Sequence, residues 1–233
     1  MSKRRFGKFW LILGVLLLAV IGLLATQLRR VDHVSEASAT TTFELEIPFN
    51  RFKQIMVRKN ATRAIVAHGG MELVSQSIQG LNVDMSKEDR PILNALRGRS
   101  KTELDATRML TVRFTNPDID AQELTLRQQA DIDSDRMHVE TKSVAEQGEI
   151  KDYQTTLTAE PAEGDATRVT LQTAMKIQVD VAKLFVSVAD TRVNASAESA
   201  VNQQKAALTE FVLQHADQAI VLPDLFGGGD KAE

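Results

Sequence analysis

Chemistry in a protein needs side chains that hold metals, move protons or attack carbonyls, and this chain has few of them at usable spacing. Its four histidines, His33, His68, His138 and His215, are scattered, with no HxxxH or HExxH pair to place two imidazoles on one metal. Asp131-Ile-Asp133-Ser-Asp135 has the spacing of the first half of a calcium loop. However, Arg136 stands where such a loop turns on Gly, and Lys142 where it needs a bidentate Glu. The segment reads as an acidic hairpin turn. Arg136, His138 and Glu140 alternate along a strand and share one face, which puts a Glu–His pair within reach of acid–base work. Met137 and Val139 then point inward, so the charged trio reads as an outer, solvated face. There is no Cys, no GxSxG elbow, no GxxxxGK[ST] loop and no GxGxxG turn. Thiol nucleophiles, hydrolase elbows and the common nucleotide cradles are thereby removed. No catalytic residue, metal site or cofactor is assigned, and the chain reads more as a binding protein than as an enzyme.

What remains is a pattern of polar residues inserted into apolar rows. Alternation gives three inward-facing sets: Leu104, Ala106, Arg108, Leu110, Val112 and Phe114; Leu124, Leu126, Gln128, Ala130 and Ile132; Val169, Leu171, Thr173, Met175, Ile177 and Val179. Arg108, Gln128 and Thr173 are the polar members. Apolar walls with a few placed polar groups describe a small-molecule pocket. A buried Arg also needs a carboxylate, from the protein or from a ligand. The expected lining is Arg108, Leu110, Val112, Leu126, Gln128, Ala130, Leu171, Thr173 and Met175, with Leu208 and Phe211 from a helix lying across them. Leu184, Phe185 and Val186, in an apolar corner before that helix, are the expected lid. The opposing reading has Leu and Met filling the interior while the polar side chains reach the sheet rim.

These residues need a sheet and a helix to position them. Thr42–Ile47 alternates, with Phe43, Leu45 and Ile47 on one face, and Pro48 ends it. Asn50 caps a helix from near Arg51 that carries Phe52, Ile55 and Met56 on one side. Asn60 or Thr62 caps a second short helix through Val66, closed by Gly69-Gly70. Strand patterns follow at 71–85, 102–114, 122–132, 136–144, 149–159 and 166–179. The breaks between them carry turn chemistry, as in Asn116-Pro-Asp118, Gln147-Gly-Glu149 and Glu163-Gly-Asp165. Short breaks mean hairpins and an antiparallel meander, and strands this long must twist and curl. Asp190 or Thr191 then caps a long helix to about His215, whose apolar stripe includes Val193, Ala197, Val201, Leu208, Phe211 and Val212.

A strand, a short helix pair, about six meander strands and a long C-terminal helix resemble, in that order, the helix-grip fold of the START-like superfamily. This superfamily is also called SRPBCC and includes polyketide cyclase-like and pollen-allergen-like proteins. The resemblance covers roughly residues 40–216 and rests on element order, not on a short motif. It implies an α+β domain in which a curved antiparallel sheet of about seven strands wraps the long C-terminal helix and leaves a cavity between them. Members commonly bind lipids, sterols or polyketides there, and a minority catalyse reactions. No branch-specific motif is matched, so no catalytic residue is carried over.

Ahead of this domain, Phe9–Ala25 is an unbroken apolar run of seventeen residues. With Thr26, Gln27 and Leu28 it spans about 30 Å as a helix, the thickness of a bilayer core. The run is longer than a signal-peptide core, and Leu23-Leu-Ala25 is a poor cleavage site, so it reads as an uncleaved transmembrane anchor. Four basic residues precede it (Lys3, Arg4, Arg5, Lys8) and two follow (Arg29, Arg30), which places the N-terminus in the cytoplasm. The expected organisation is a basic cytoplasmic end at 1–8, the anchor at 9–28, a linker at 29–41, the helix-grip domain at 42–216 and a tail at 217–233. Of 28 Lys/Arg, six lie in residues 1–30, where there is no acid, so the rest of the chain carries 22 bases against 31 acids. That balance argues against nucleic acid as a partner. The expected role is a single-pass protein of a bacterial inner membrane. Its C-terminal domain, in the periplasm or outside, binds or presents a hydrophobic small molecule or lipid. The alternative is a non-enzymatic interaction module with a filled core and an unknown protein partner.

Overall fold

The computed structural model describes residues 28–58, 61–62, 66, 71–84, 103–114 and 123–218. The expected anchor therefore lies, but for Leu28, outside the described residues, as do Asn60, Gly69-Gly70, the turn at 116–118 and the tail beyond 218. Among the described residues no helix is long and apolar enough to cross a membrane.

Seven strands form one antiparallel sheet: β1 (Arg30–Leu45), β2 (Met71–Asp84), β3 (Glu103–Phe114), β4 (Glu123–Ile132), β5 (Met137–Ser143), β6 (Ile150–Pro161) and β7 (Thr167–Ala182). Their spatial order is β1-β7-β6-β5-β4-β3-β2, so the meander runs unbroken and the first strand closes on the last. Among the described residues two α-helices accompany the sheet, α1 (Phe49–Arg58) after β1 and α2 (Val186–His215) after β7. Ala61, Thr62 and Val66 are helical as well. The element order and layering are those of the helix-grip fold.

The linker expected at 29–41 is corrected. Residues 30–41 belong to β1, which pairs with β7 from Arg30↔Ala182 to Leu45↔Thr167. Their inward side chains are small because a helix lies close over them: Ser35 and Ala37 are buried, and Ala37 packs against Val193 and Ala197 of α2. A row of Ser and Ala carries no hydrophobic periodicity, so it resembles a loop in the sequence. The helix starts are corrected too. The Phe52 amide donates to the Pro48 carbonyl at 3.0 Å, and α1 begins at Phe49, not near Arg51. α2 begins at Val186, four residues before the expected cap at Asp190.

Asp190 has a different task. Its Oδ1 accepts a hydrogen bond from the Ser35 hydroxyl at 2.7 Å and stands 2.7 Å from His33 Nε2. These contacts clamp α2 to β1. The Ser35 hydrogen bond, then the His33 one, hold the Asp190 carboxyl below its ordinary 3.8. A depressed carboxylate pKa stabilises the fold above the unfolded-state value, and that contribution disappears as pH falls through the folded value. Asp190→Asn should therefore lower Tm at pH 7, and the gap from wild type should close below about pH 4. Thermal denaturation of both proteins from pH 7 to pH 3 checks this; a gap independent of pH would contradict it.

The core has two main parts. One joins Phe52 and Ile55 of α1 to Val169 and Leu171 of β7 and to Val201, Leu208 and Val212 of α2. The other gathers Leu110, Val112, Leu124, Leu126 and Tyr153 on the sheet with Val66 and Met71. α1 is tied both to the sheet and to α2. Lys53 Nζ donates to the carbonyls of Asp133 (2.7 Å) and Ser134 (3.2 Å) in the β4–β5 turn. Burial lowers the Lys53 pKa, with Asp135 and Asp133 opposing. Arg51 caps α2, its Nε donating to the Ala216 carbonyl at 2.8 Å and its terminal nitrogen to the carbonyls of His215 and Gln218. A guanidinium beside these carbonyls suits the C-terminal end of the helix dipole.

Candidate functional site

α2 lies against β1 and β7, so it covers only one flank of the inner sheet face. α1, Ala61 and Val66 pack over part of the rest, and Thr62 bonds Gln128. A hollow of about 110 Å³ remains in the seam between the two core clusters. Its apolar walls come from Met56 and Val57 of α1, Ala61, Val66, Met71, Ala106, Leu110, Leu126, Ala130, Ile132, Met137, Val139, Leu157 and Leu171. Its polar members are Thr62, Arg108, Gln128, Thr141, Tyr153, Thr155, Thr156 and Gln204.

Strand register puts four of these eight polar groups, with Thr173, in one belt. Arg108 on β3 is the partner of Gln128 on β4, Gln128 of Thr141 on β5, Thr141 of Thr155 on β6, and Thr155 of Thr173 on β7. A single inward-facing row thus crosses five strands. On one side of it the row Ala106, Ala130, Val139, Leu157 and Leu171 is wholly apolar. The belt is hydrogen-bonded within itself and to the helices. Gln128 Nε2 donates to Thr141 Oγ1 at 3.2 Å, and Thr62 Oγ1 donates to Gln128 Oε1 at 3.3 Å. Thr173 Oγ1 donates to Gln204 Oε1, and Gln204 Nε2 to the Tyr153 hydroxyl oxygen, each at 3.5 Å. Burial pushes the Tyr153 phenol up to about 12, with the Gln204 hydrogen bond opposing. Tyr153 is therefore a neutral hydroxyl at any ordinary pH.

Of the residues expected to line a pocket, Arg108, Leu110, Leu126, Gln128, Ala130 and Leu171 do so. The other five sit elsewhere. Val112 is sealed in the second core cluster, and Leu208 lies in the main cluster with Phe211 packed at its edge. Thr173 is buried beneath Gln204, and Met175 packs beside Tyr153 and Val193. Parity assigned the face correctly, but position along the strand decides who meets the void. Leu184 and Phe185 form a 3₁₀ turn that runs into Val186 at the start of α2; none of the three borders the hollow, and Phe185 is 50% exposed. They stand by the chain's entry into the sheet, where the Lys183 amide donates to the Arg29 carbonyl.

Sequence reasoning missed Thr141, Tyr153, Thr155 and Gln204. A signal existed for the last: Gln204 sits three residues after Val201 and four before Leu208, on the apolar stripe itself. Thr141 and Thr155 share parity with Val139 and Leu157 but have no distinguishing feature in their own strands. The Asp131–Asp135 segment is the β4–β5 turn, closed by the Asp133 amide on the Arg136 carbonyl at 2.7 Å. Among the described residues no three His, Asp or Glu side chains converge as metal ligands. His138 faces away from the hollow and meets Thr158 Oγ1 at 3.1 Å on the neighbouring strand.

No family model and no curated protein matches this sequence. Solved structures do resemble it. The Zhui aromatase/cyclase from Streptomyces sp. R1128 aligns over 79% of this chain and 94% of its own, at 14% identity and a TM-score of 0.43. A norcoclaurine synthase of Thalictrum flavum aligns over 78% and 98%, at 15% and 0.42. TTHA0849 from Thermus thermophilus aligns over 77% and 97%, at 14% and 0.43. At these identities no residue role passes from one chain to another.

Proposed function

We propose that this helix-grip domain binds a small hydrophobic molecule in the hollow between the sheet, α1 and α2, and that residues 9–28 tether it to a membrane, with the domain on the extracytoplasmic side. The observation that carries the binding is the hollow itself: an apolar space at the seam of two otherwise packed clusters, crossed by one polar belt. Protein interiors are close-packed, and voids larger than a water are few. A filled-core interaction module would have no reason to keep one here. Size limits the occupant. Engineered apolar cavities of roughly 150 Å³ stay dry and admit benzene. A space of about 110 Å³ suits one ring or a short chain. Drug-sized sites need roughly 300–1,000 Å³, so an entire lipid would require α1 to move away from the sheet. Support for the tether is the seventeen-residue apolar run and the excess of basic residues ahead of it.

The binding test is organic extraction of the full-length protein purified from membranes, followed by mass spectrometry and by thermal shift with single-ring and short-chain probes. A compound that co-purifies in stoichiometric amount, or a probe that raises Tm, is the expected result. Empty extracts with no probe raising Tm would overturn the reading. A reporter fused after Glu233 that is active on only one side of the membrane tests the orientation separately.

A further inference from the structure

We infer that the ligand carries an anionic group, best a carboxylate, which Arg108 receives at the wall of the hollow; this rests on the ligand-binding reading above. Arg108 lies on β3 between buried Ala106 and Leu110, shares their inward face and borders the hollow. Among the described residues it makes no ion pair and no hydrogen bond. Bases on the outer face contrast with it. Arg113, on the same strand, holds Glu123 at 2.6 Å; Arg168 holds Glu44 at 3.0 Å; Lys176 holds Glu36 at 2.8 Å. Nor does any belt residue hydrogen-bond Arg108, and the belt holds no carboxylate. Gln128, opposite Arg108 in register, already uses its amide oxygen for Thr62 and its amide nitrogen for Thr141.

A guanidinium cannot shed its charge, and it presents five donors in a planar fork. Arg108 is partly withdrawn from water on an apolar face, where a guanidinium without a partner is disfavoured and an anion would satisfy it. The fork matches a carboxylate through two parallel hydrogen bonds, a geometry stronger than a neutral contact. The apolar walls beside it take the body of the same molecule. Together they select a small amphipathic acid, with a ring or short chain in the hollow and its carboxylate on Arg108.

The test is isothermal titration of the full-length protein with phenylacetate, hexanoate and the uncharged phenylacetamide. The carboxylates should bind at least about tenfold more tightly than the amide, and more weakly as salt is raised. Arg108→Met should abolish that preference, so that acid and amide bind alike, and Arg108→Lys should restore only part of it. Far-UV circular dichroism and Tm confirm that both variants are folded. Equal affinity for acid and amide, or an Arg108→Met protein that still prefers the acid, would overturn the anionic group and leave the hydrophobic site standing. If neither acid nor amide binds, the anionic group is overturned, and the extraction and thermal-shift test above decides the hydrophobic site separately.

Discussion

Ala130→Phe should reduce binding of a single-ring probe by about 100-fold or more while leaving the fold intact. Ala130 sits on β4 between Gln128 and Ile132, opposite Ala106 and Val139, with its side chain toward the hollow. A phenyl ring placed there occupies the space a ligand ring would take. Aromatic side chains bury roughly 150–250 Å², worth about 4–6 kcal/mol at ~25 cal/mol per Å². Losing even half of that is about 2–3 kcal/mol, or roughly 100-fold in affinity. Overpacking a filled core usually costs about 1–3 kcal/mol. An added ring that enters an existing void avoids most of that cost, so Tm should hold or rise. Titration calorimetry and thermal denaturation of the same preparation provide both readings. A variant that binds the probe as well as wild type would place the site elsewhere.

Leu208→Ala should destabilise the domain by about 2–5 kcal/mol. Leu208 is 0% exposed and belongs to the cluster that joins α2 to α1 and to the end of the sheet. Its removal leaves a gap that side chains from three elements cannot close together. Against the ~5–15 kcal/mol that holds a typical domain folded, that is a large share. Leu213, five residues on and 57% exposed, is the internal control, since Leu213→Ala removes no buried contact and should change stability by under about 0.5 kcal/mol. Urea titration followed by far-UV circular dichroism checks both: the midpoint should fall for Leu208→Ala at an unchanged slope. A midpoint within error of wild type would mean that α2 is not held by this contact.

Much of the architecture was legible because strand signals are local. Six of the seven strands fall within three residues of the alternating segments, and the described hairpins, β4–β5, β5–β6 and β6–β7, sit on the expected Gly and Asp turns. Gly148 and Gly164 adopt positive φ, 57° and 70°, where a side chain would be strained. β1 was legible only at its end, because its first half faces a helix at close range with Ser35 and Ala37 in place of large apolar residues. The start of α2 was misplaced for a related reason. Asp190 has the side chain of a cap, yet it binds His33 and Ser35, which lie more than 150 positions away.

The sequence by itself determined which residues face inward on each strand, because side chains alternate with a period of two whatever the strand's neighbour. It thereby marked Arg108, Gln128 and Thr173 as polar intruders on an apolar face. It also determined the antiparallel run from β4 to β7, since short turns leave adjacent strands no other pairing. Only the tertiary structure decided that these three, with Thr141 and Thr155, form one row, because register is a relation between strands. Only the tertiary structure placed the void at the seam of two clusters, lined by Tyr153 and Gln204 and not by Leu208 or Thr173. A void is what packing leaves over when several elements meet, and no single segment encodes it.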